Sequence, residues 1–160
     1  MGEVLVRHAG YDEDFFLWTQ EQAEALRSMP RGRSNMPLDW ENIAKELESL
    51  GKSDRRGCTS FVSQILTHLL KLEYWPDDAP KRGWQKEIRT FRFQLEQILE
   101  DSPSLRARMP EFTASAQTRV LKKMKADFEE NVEFLANLEQ AALAFPFSHD
   151  HVLDENFFPG

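Results

Sequence analysis

Between residues 39 and 74 apolar side chains recur at intervals of three and four. Ile43, Leu47, Leu50, Cys58, Phe61, Ile65 and Leu72 share one stripe, and Asp54 and His68 fall in phase with it. This is the period of an α-helix, whereas a half-buried strand alternates every two residues. A helix over that whole span is roughly 50 Å long, so it needs several other helices to cover its apolar side. Gly51, followed by Ser53 or Asp54 as a new N-cap, leaves two readings open: one long helix over 39–74, or two. Beyond Val4–Val6 no stretch alternates in the manner of a strand rich in β-branched residues.

The same logic organises the rest of the chain. Asp12 reads as the N-cap of a first helix, with Glu13 and Asp14 at the positive end of its dipole and Tyr11 and Phe16 at the spacing of a hydrophobic staple. Phe15, Trp18, Ala25, Leu26 and Met29 form its apolar face, and Pro30 to Pro37 reads as a loop. Asp39 repeats the pattern for the second helix, with Leu38 and Ile43 as the staple. Pro76 and Pro80 stop it. Trp84, Ile88, Phe91, Leu95 and Ile98 give the next helix a narrow 4-3-4-3 seam. Ser102-Pro103 opens a short helical turn. Pro110 opens a last long helix that turns Phe112, Ala116, Val120, Met124, Phe128, Val132, Leu135 and Leu138 inward. The expected fold is therefore all-α: an antiparallel bundle of four to five helices in one domain over 1–160. Residues 1–10 form a loose lead-in, and the aromatic and Pro-rich tail 145–160 packs across the bundle.

Composition narrows the classes. At 160 residues the chain is long enough to bury a core without disulfides or metals, and the single Cys58 has no internal partner. Twenty-seven acidic residues against 20 basic give a net charge of −7, which disfavours binding to nucleic-acid phosphates. No apolar run is long enough for a membrane span, and the first residues lack a signal-peptide pattern. Cytoplasm is the expected compartment.

Several residues could carry chemistry. His68 falls on an apolar face, where a metal ligand or general base would sit in a bundle core, but the Glu-x-x-His pair of di-metal bundles is missing because Ile65 stands three residues before it. His149 and His151, with Asp150, Asp154 and Glu155, form the densest set of ligand types. Two positions apart on a helix, their side chains diverge by about 200°. The carboxylates Glu41, Glu46, Glu48, Glu96, Glu100 and Asp101 read as solvated faces. Cys58 reads as a packed thiol near Arg55 and Arg56. Basic residues interleave with aromatics at 81–93, yet Trp84 and Phe91 belong to the seam. Phe93 lies outside it, as an exposed anchor for a partner. Gly-rich phosphate loops, Cys-x-x-Cys, His-Glu-x-x-His and nucleophile elbows are absent, which favours a non-enzymatic reading with no cofactor.

One combination of segments is distinctive. It begins with Tyr11-Asp12-Glu13-Asp14-Phe15-Phe16-Leu17-Trp18, then Leu38-Asp39-Trp40-Glu41-Asn42-Ile43-Ala44 and Glu48-Ser49-Leu50-Gly51. His68-Leu69-Leu70-Lys71 follows, then Trp84, Glu87-Ile88 and Arg92. Leu99-Glu100-Asp101-Ser102-Pro103-Ser104-Leu105 and Leu153-Asp154-Glu155-Asn156-Phe157-Phe158-Pro159 complete it. In order and spacing the chain resembles the bacterial family called domain of unknown function 29 over about residues 11–159. The resemblance implies a compact α-helical protein, with Trp40, His68, Trp84 and Arg92 as core filler or as donors tying helices together. It implies no activity, ligand or catalytic residue. The reading that follows is a helical interaction or scaffold module acting on a protein partner or a second copy. The alternative is a metal-binding or metal-dependent hydrolytic bundle using His68 or the His149/His151 cluster.

Overall fold

The computed structural model describes residues 8–30 and 38–160. Residues 1–7, and with them Val4–Val6, lie outside it, as do 31–37, most of the segment read as a loop. Six α-helices and one 3₁₀ turn make up the described part: α1 (Phe15–Arg27), α2 (Trp40–Tyr74), α3 (Lys81–Asp101), the 3₁₀ turn Pro103–Arg108, α4 (Met109–Asp127), α5 (Val132–Leu143) and α6 (His149–Leu153). No strand occurs among the described residues. The all-α expectation holds, with one or two more helices than read from the sequence.

α2 settles the open question at its middle. It is one helix of 35 residues, and it touches each of the other five α-helices. Asp39 caps it, accepting from the Asn42 backbone N–H at 3.1 Å. Gly51 does not end the helix. It is buried inside it, because an added Cβ would collide with Thr19 Oγ1 and lie 2.9 Å from Gln20 Nε2 of α1.

α1 starts two residues later than the sequence indicates. Asp14, and not Asp12, is the cap, and its Oδ1 accepts from Leu17 N–H at 2.9 Å. The choice among three neighbouring acids is made by tertiary bonds: the Asp14 carboxylate also accepts from Ser104 N–H at 2.6 Å and Ser104 Oγ at 2.9 Å. With the start shifted, Tyr11 packs edge-on against Phe15 and Trp18 and does not close a staple on Phe16.

α3 buries Ile88, Leu95 and Leu99, and Trp84, Phe91 and Ile98 pack beside them, so the seam is as read. The long last helix is corrected: α4 ends at Asp127 and α5 begins at Val132. Asn131 breaks the run because its side chain accepts from Phe134 N–H at 3.1 Å, giving the backbone a cap where a helix interior was expected. Val132, read as inward, is 76% exposed, whereas Phe112, Ala116, Val120, Met124 and Leu138 are buried.

The tail is held by Arg92. This α3 side chain is 5% exposed and donates to three carbonyls: Nε to Val152 and Nη1 to Phe157, both at 3.0 Å, and Nη2 to His151 at 2.7 Å. Phe147 and Val152 are buried alongside. Burial pushes the Arg92 guanidinium down to about 10, with Asp154 and Glu155 acting the other way.

Candidate functional site

The residues singled out for metal chemistry do not converge. His68 Nδ1 lies 2.8 Å from the Gln64 carbonyl, and Nε2 lies 2.7 Å from Glu87 Oε2. Both ring nitrogens already face oxygen acceptors, which leaves no lone pair turned towards a metal. Its ring also meets Phe91 edge-on at 5.4 Å, so it works as a boundary residue between α2 and α3. His149 turns to Asp150, with Nε2 3.4 Å from Oδ1. His151 turns back into its own helix start, where Nδ1 accepts from Ser148 N–H at 3.0 Å, and its ring packs on Phe157 at 4.3 Å. Among the described residues no group of three or more His, Cys, Asp or Glu could hold a metal ion. Cys58 is fully buried, and burial, with Asp54 adding to it, pushes its thiol up to about 12. It has none of the features that activate a nucleophilic cysteine. Of the acidic set, Glu41 and Glu48 pair with Arg27, and Glu96 pairs with Arg106. Phe93 is 66% exposed beside Arg89 and Asn156, outside the seam as read.

A different surface has the geometry of a docking face. α3 covers one side of α2 along its second half. Gly57 faces Ile98, Phe61 packs on Phe91 at 6.4 Å, and His68 meets Glu87. By helical repeat Ile43, Leu47 and Leu50 occupy that same side about two to four turns before Gly57. α3 stops at Asp101, where Ser102 Oγ donates to Asp54 Oδ2 at 3.1 Å and accepts from Phe16 N–H at 3.0 Å. Beyond that point Ile43 is 38% and Leu50 51% exposed, with Leu47 half-buried between them.

The hairpin of α1 with the first half of α2 explains why these residues stay outside. Its inner contact is made by small side chains, with Thr19, Ala23, Ala44 and Gly51 all buried. The apolar face read for α1 is therefore mostly not the buried one: Ala25 and Met29 are exposed, and Phe15, Trp18 and Leu26 are half-buried. Tyr11, Phe15 and Trp18 form an aromatic group with ring centroids 5.0–6.2 Å apart, and Tyr11 is 57% exposed. A depression of about 360 Å³ joins this group to the end of α3, lined by Tyr11, Asp12, Phe15, Asp54 and Asp101. None of its three carboxylates has an ion pair among the described residues. Burial raises Asp54 above the ordinary carboxylate range, and Asp101 adds to the rise against the opposing Ser102 hydrogen bond. The result is an apolar and aromatic surface with an unneutralised acidic end.

Sequence reading gave Ile43, Leu47, Leu50, Phe15 and Trp18 to inward apolar faces, Asp12 to a cap and Asp101 to a solvated face. It missed the Ser102, Ser104 and Asp14 network altogether, because the partners lie 86 and 90 positions apart.

The described residues place the chain in the class of all-helical proteins. The model of the family described as "Domain of unknown function DUF29" matches residues 11–158, and the chain belongs to that family. Its structure is similar to the crystal structure of an α-helical protein of unknown function from Rhodospirillum rubrum. The two share 28% identity and a TM-score of 0.68, over 94% of this chain and 93% of the other. No curated protein matches the sequence. Among the described residues no helix is long and apolar enough to cross a membrane.

Proposed function

We propose that the protein is an interaction module whose docking face is the uncovered side of the α1–α2 hairpin, and that its partner presents an amphipathic helix carrying Lys or Arg. One observation carries this reading: the stripe that receives α3 continues past the end of α3, with Ile43 and Leu50 exposed and Leu47 half-buried between them. A second helix laid end to end with α3 would cover it as Phe91 of α3 covers Phe61, by the helix-in-groove mode of recognition. The carboxylates of Asp12, Asp54 and Asp101 sit where such a helix would bring a cation, which gives the contact polarity. We place this activity in the cytoplasm, in keeping with one unpaired, buried cysteine.

The test uses two designed 18-residue helical peptides with the same leucine stripe, one rich in Lys and Arg and the other in Glu. Fluorescence anisotropy should show binding of the basic peptide alone, weakened about tenfold or more by Leu50→Glu, with circular dichroism confirming that the variant folds. Equal binding of both peptides, or indifference to Leu50→Glu, would overturn the reading. So would light scattering that shows a dimer dissociated by Leu50→Glu, because the face would then belong to a second copy.

A further inference from the structure

A second feature lies elsewhere on α2 and is independent of the hairpin. Between α2 and α4 runs an open groove of about 550 Å³, within the size range of small-ligand sites. Its walls are cationic: Arg56 and Lys71 come from α2, Arg119 and Lys123 from α4. Lys123 is paired with Asp127, the only carboxylate among the described residues that line the groove. The other three cations have no ion pair among the described residues. The protein as a whole carries a net charge of −7, so these cations run against its overall sign.

The remaining lining is chemically ordered. Thr59, Ser63 and Thr67 stand at four-residue spacing along α2, one above another. Each donates its hydroxyl proton to a backbone carbonyl of its own helix, at 3.0, 2.9 and 2.8 Å. What they turn towards a ligand is therefore oxygen lone pairs. Gln64 likewise commits its amide N–H to Ser60. Val120, Met124 and Phe128 supply an apolar side. Lys71 spans the two characters: its Nζ lies 4.9 Å over Trp84 and 5.4 Å over Phe128, and burial lowers its pKa, with Glu87 and Asp127 opposing.

From this arrangement we infer that the α2/α4 groove binds a small phosphorylated, hydroxyl-bearing metabolite. Arg56 and Arg119 take the phosphate, since a guanidinium presents paired donors that match phosphate oxygens. The ligand's own hydroxyls donate to the oxygens of Thr59, Ser63 and Thr67. Its less polar face rests on Val120 and Met124. Bare inorganic phosphate satisfies only the first of these three contacts, and an unphosphorylated sugar satisfies only the other two.

Calorimetric titration at fixed ionic strength with ribose 5-phosphate, adenosine monophosphate, inorganic phosphate, ribose and adenosine tests the inference. At least one phosphate ester should bind about tenfold or more tightly than both inorganic phosphate and its own unphosphorylated counterpart. The double variant Arg56→Gln/Arg119→Gln should lose about tenfold in affinity while its ligand-free melting temperature stays within about 1 °C, because both side chains are exposed. Arg55→Gln, an exposed neighbour that does not line the groove, should bind like the unaltered protein. Failure of both esters to bind at millimolar concentration would overturn the proposal. Inorganic phosphate binding as tightly as the esters, or Arg55→Gln weakening binding as much as the double variant, would overturn it equally.

Discussion

Gly51 of α2 and Thr19 of α1 meet so closely that no side chain fits between them. Thr19 is fully buried, and its hydroxyl is fixed by a 2.7 Å donation to the Phe16 carbonyl, so it cannot move aside cheaply. This contact brings the two helices of the hairpin together and fixes which faces they leave uncovered.

Gly51→Ala is accordingly expected to destabilise. Alanine gains about 1 kcal/mol in intrinsic helix preference, and overpacking at such a contact costs about 1–3 kcal/mol. The net should be a loss that urea denaturation can detect. In a Thr19→Ala background the same substitution should become neutral or favourable. A double-mutant cycle with no coupling would show that the close approach is not what holds the hairpin.

Arg92 predicts the behaviour of the tail. Arg92→Ala leaves three carbonyls without their donor and should cost about 2–4 kcal/mol. Arg92→Lys keeps the charge but not the fork of donors, so it should recover only part of that loss. Limited proteolysis should then cut within residues 145–160 in Arg92→Ala before anywhere else. Unchanged protection of that segment would mean that Phe147 and Val152 anchor the tail without help.

Asp54 makes a prediction about pH. Its folded-state carboxyl is held above the ordinary value, first by burial and then by Asp101. The folded chain therefore holds that proton more tightly than the unfolded one, and the contribution to stability falls as pH rises from about 4 through the raised value. Asp54→Asn keeps an oxygen for Ser102 Oγ and removes the charge. Its melting temperature should exceed that of the unaltered protein at neutral pH, and the gap should close as pH falls towards 3. A gap that widens on acidification would contradict the assigned cause.

Cys58 should be chemically silent in the folded state. A fully buried thiol with a pKa of about 12 carries almost no thiolate at neutral pH. A chromogenic disulfide reagent should leave it intact in buffer and titrate one thiol in denaturant. Prompt reaction in buffer would point to local opening around α2.

Thr113 is buried in α4, and its Oγ1 has no hydrogen-bond partner among the described residues. Thr113→Val keeps the branched shape and removes an unsatisfied hydroxyl, so it should stabilise by about 1 kcal/mol. Chemical denaturation gives the sign directly.

The helices were legible because they are written locally. Asp39 caps α2, the prolines at 76, 80, 103 and 110 punctuate the chain, and the seam of α3 faces the core at the expected positions. The candidate sites were less legible. The hydroxyl row at 59, 63 and 67 was not read from the sequence, since small polar residues on a helix face carry no distinctive local signal. Its meaning depended on Arg119 and Lys123, which reach it only through the packing of α4 on α2.

By itself the sequence determined the fold class, the bounds of α2 and membership of the family, since period, caps and prolines act within a few residues. Only the tertiary structure decided which apolar stripe is covered. In both helices of the hairpin the large apolar residues occupy one face and the small ones the next. Periodicity selects the large face, but close approach favours the small one. The choice among neighbouring acids for the α1 cap was likewise made by Ser104, 90 residues away, and no local pattern encodes such a partner. The Ile43, Leu47 and Leu50 stripe is thus a true helical face that the described residues leave largely open, because α3 ends beside Asp54.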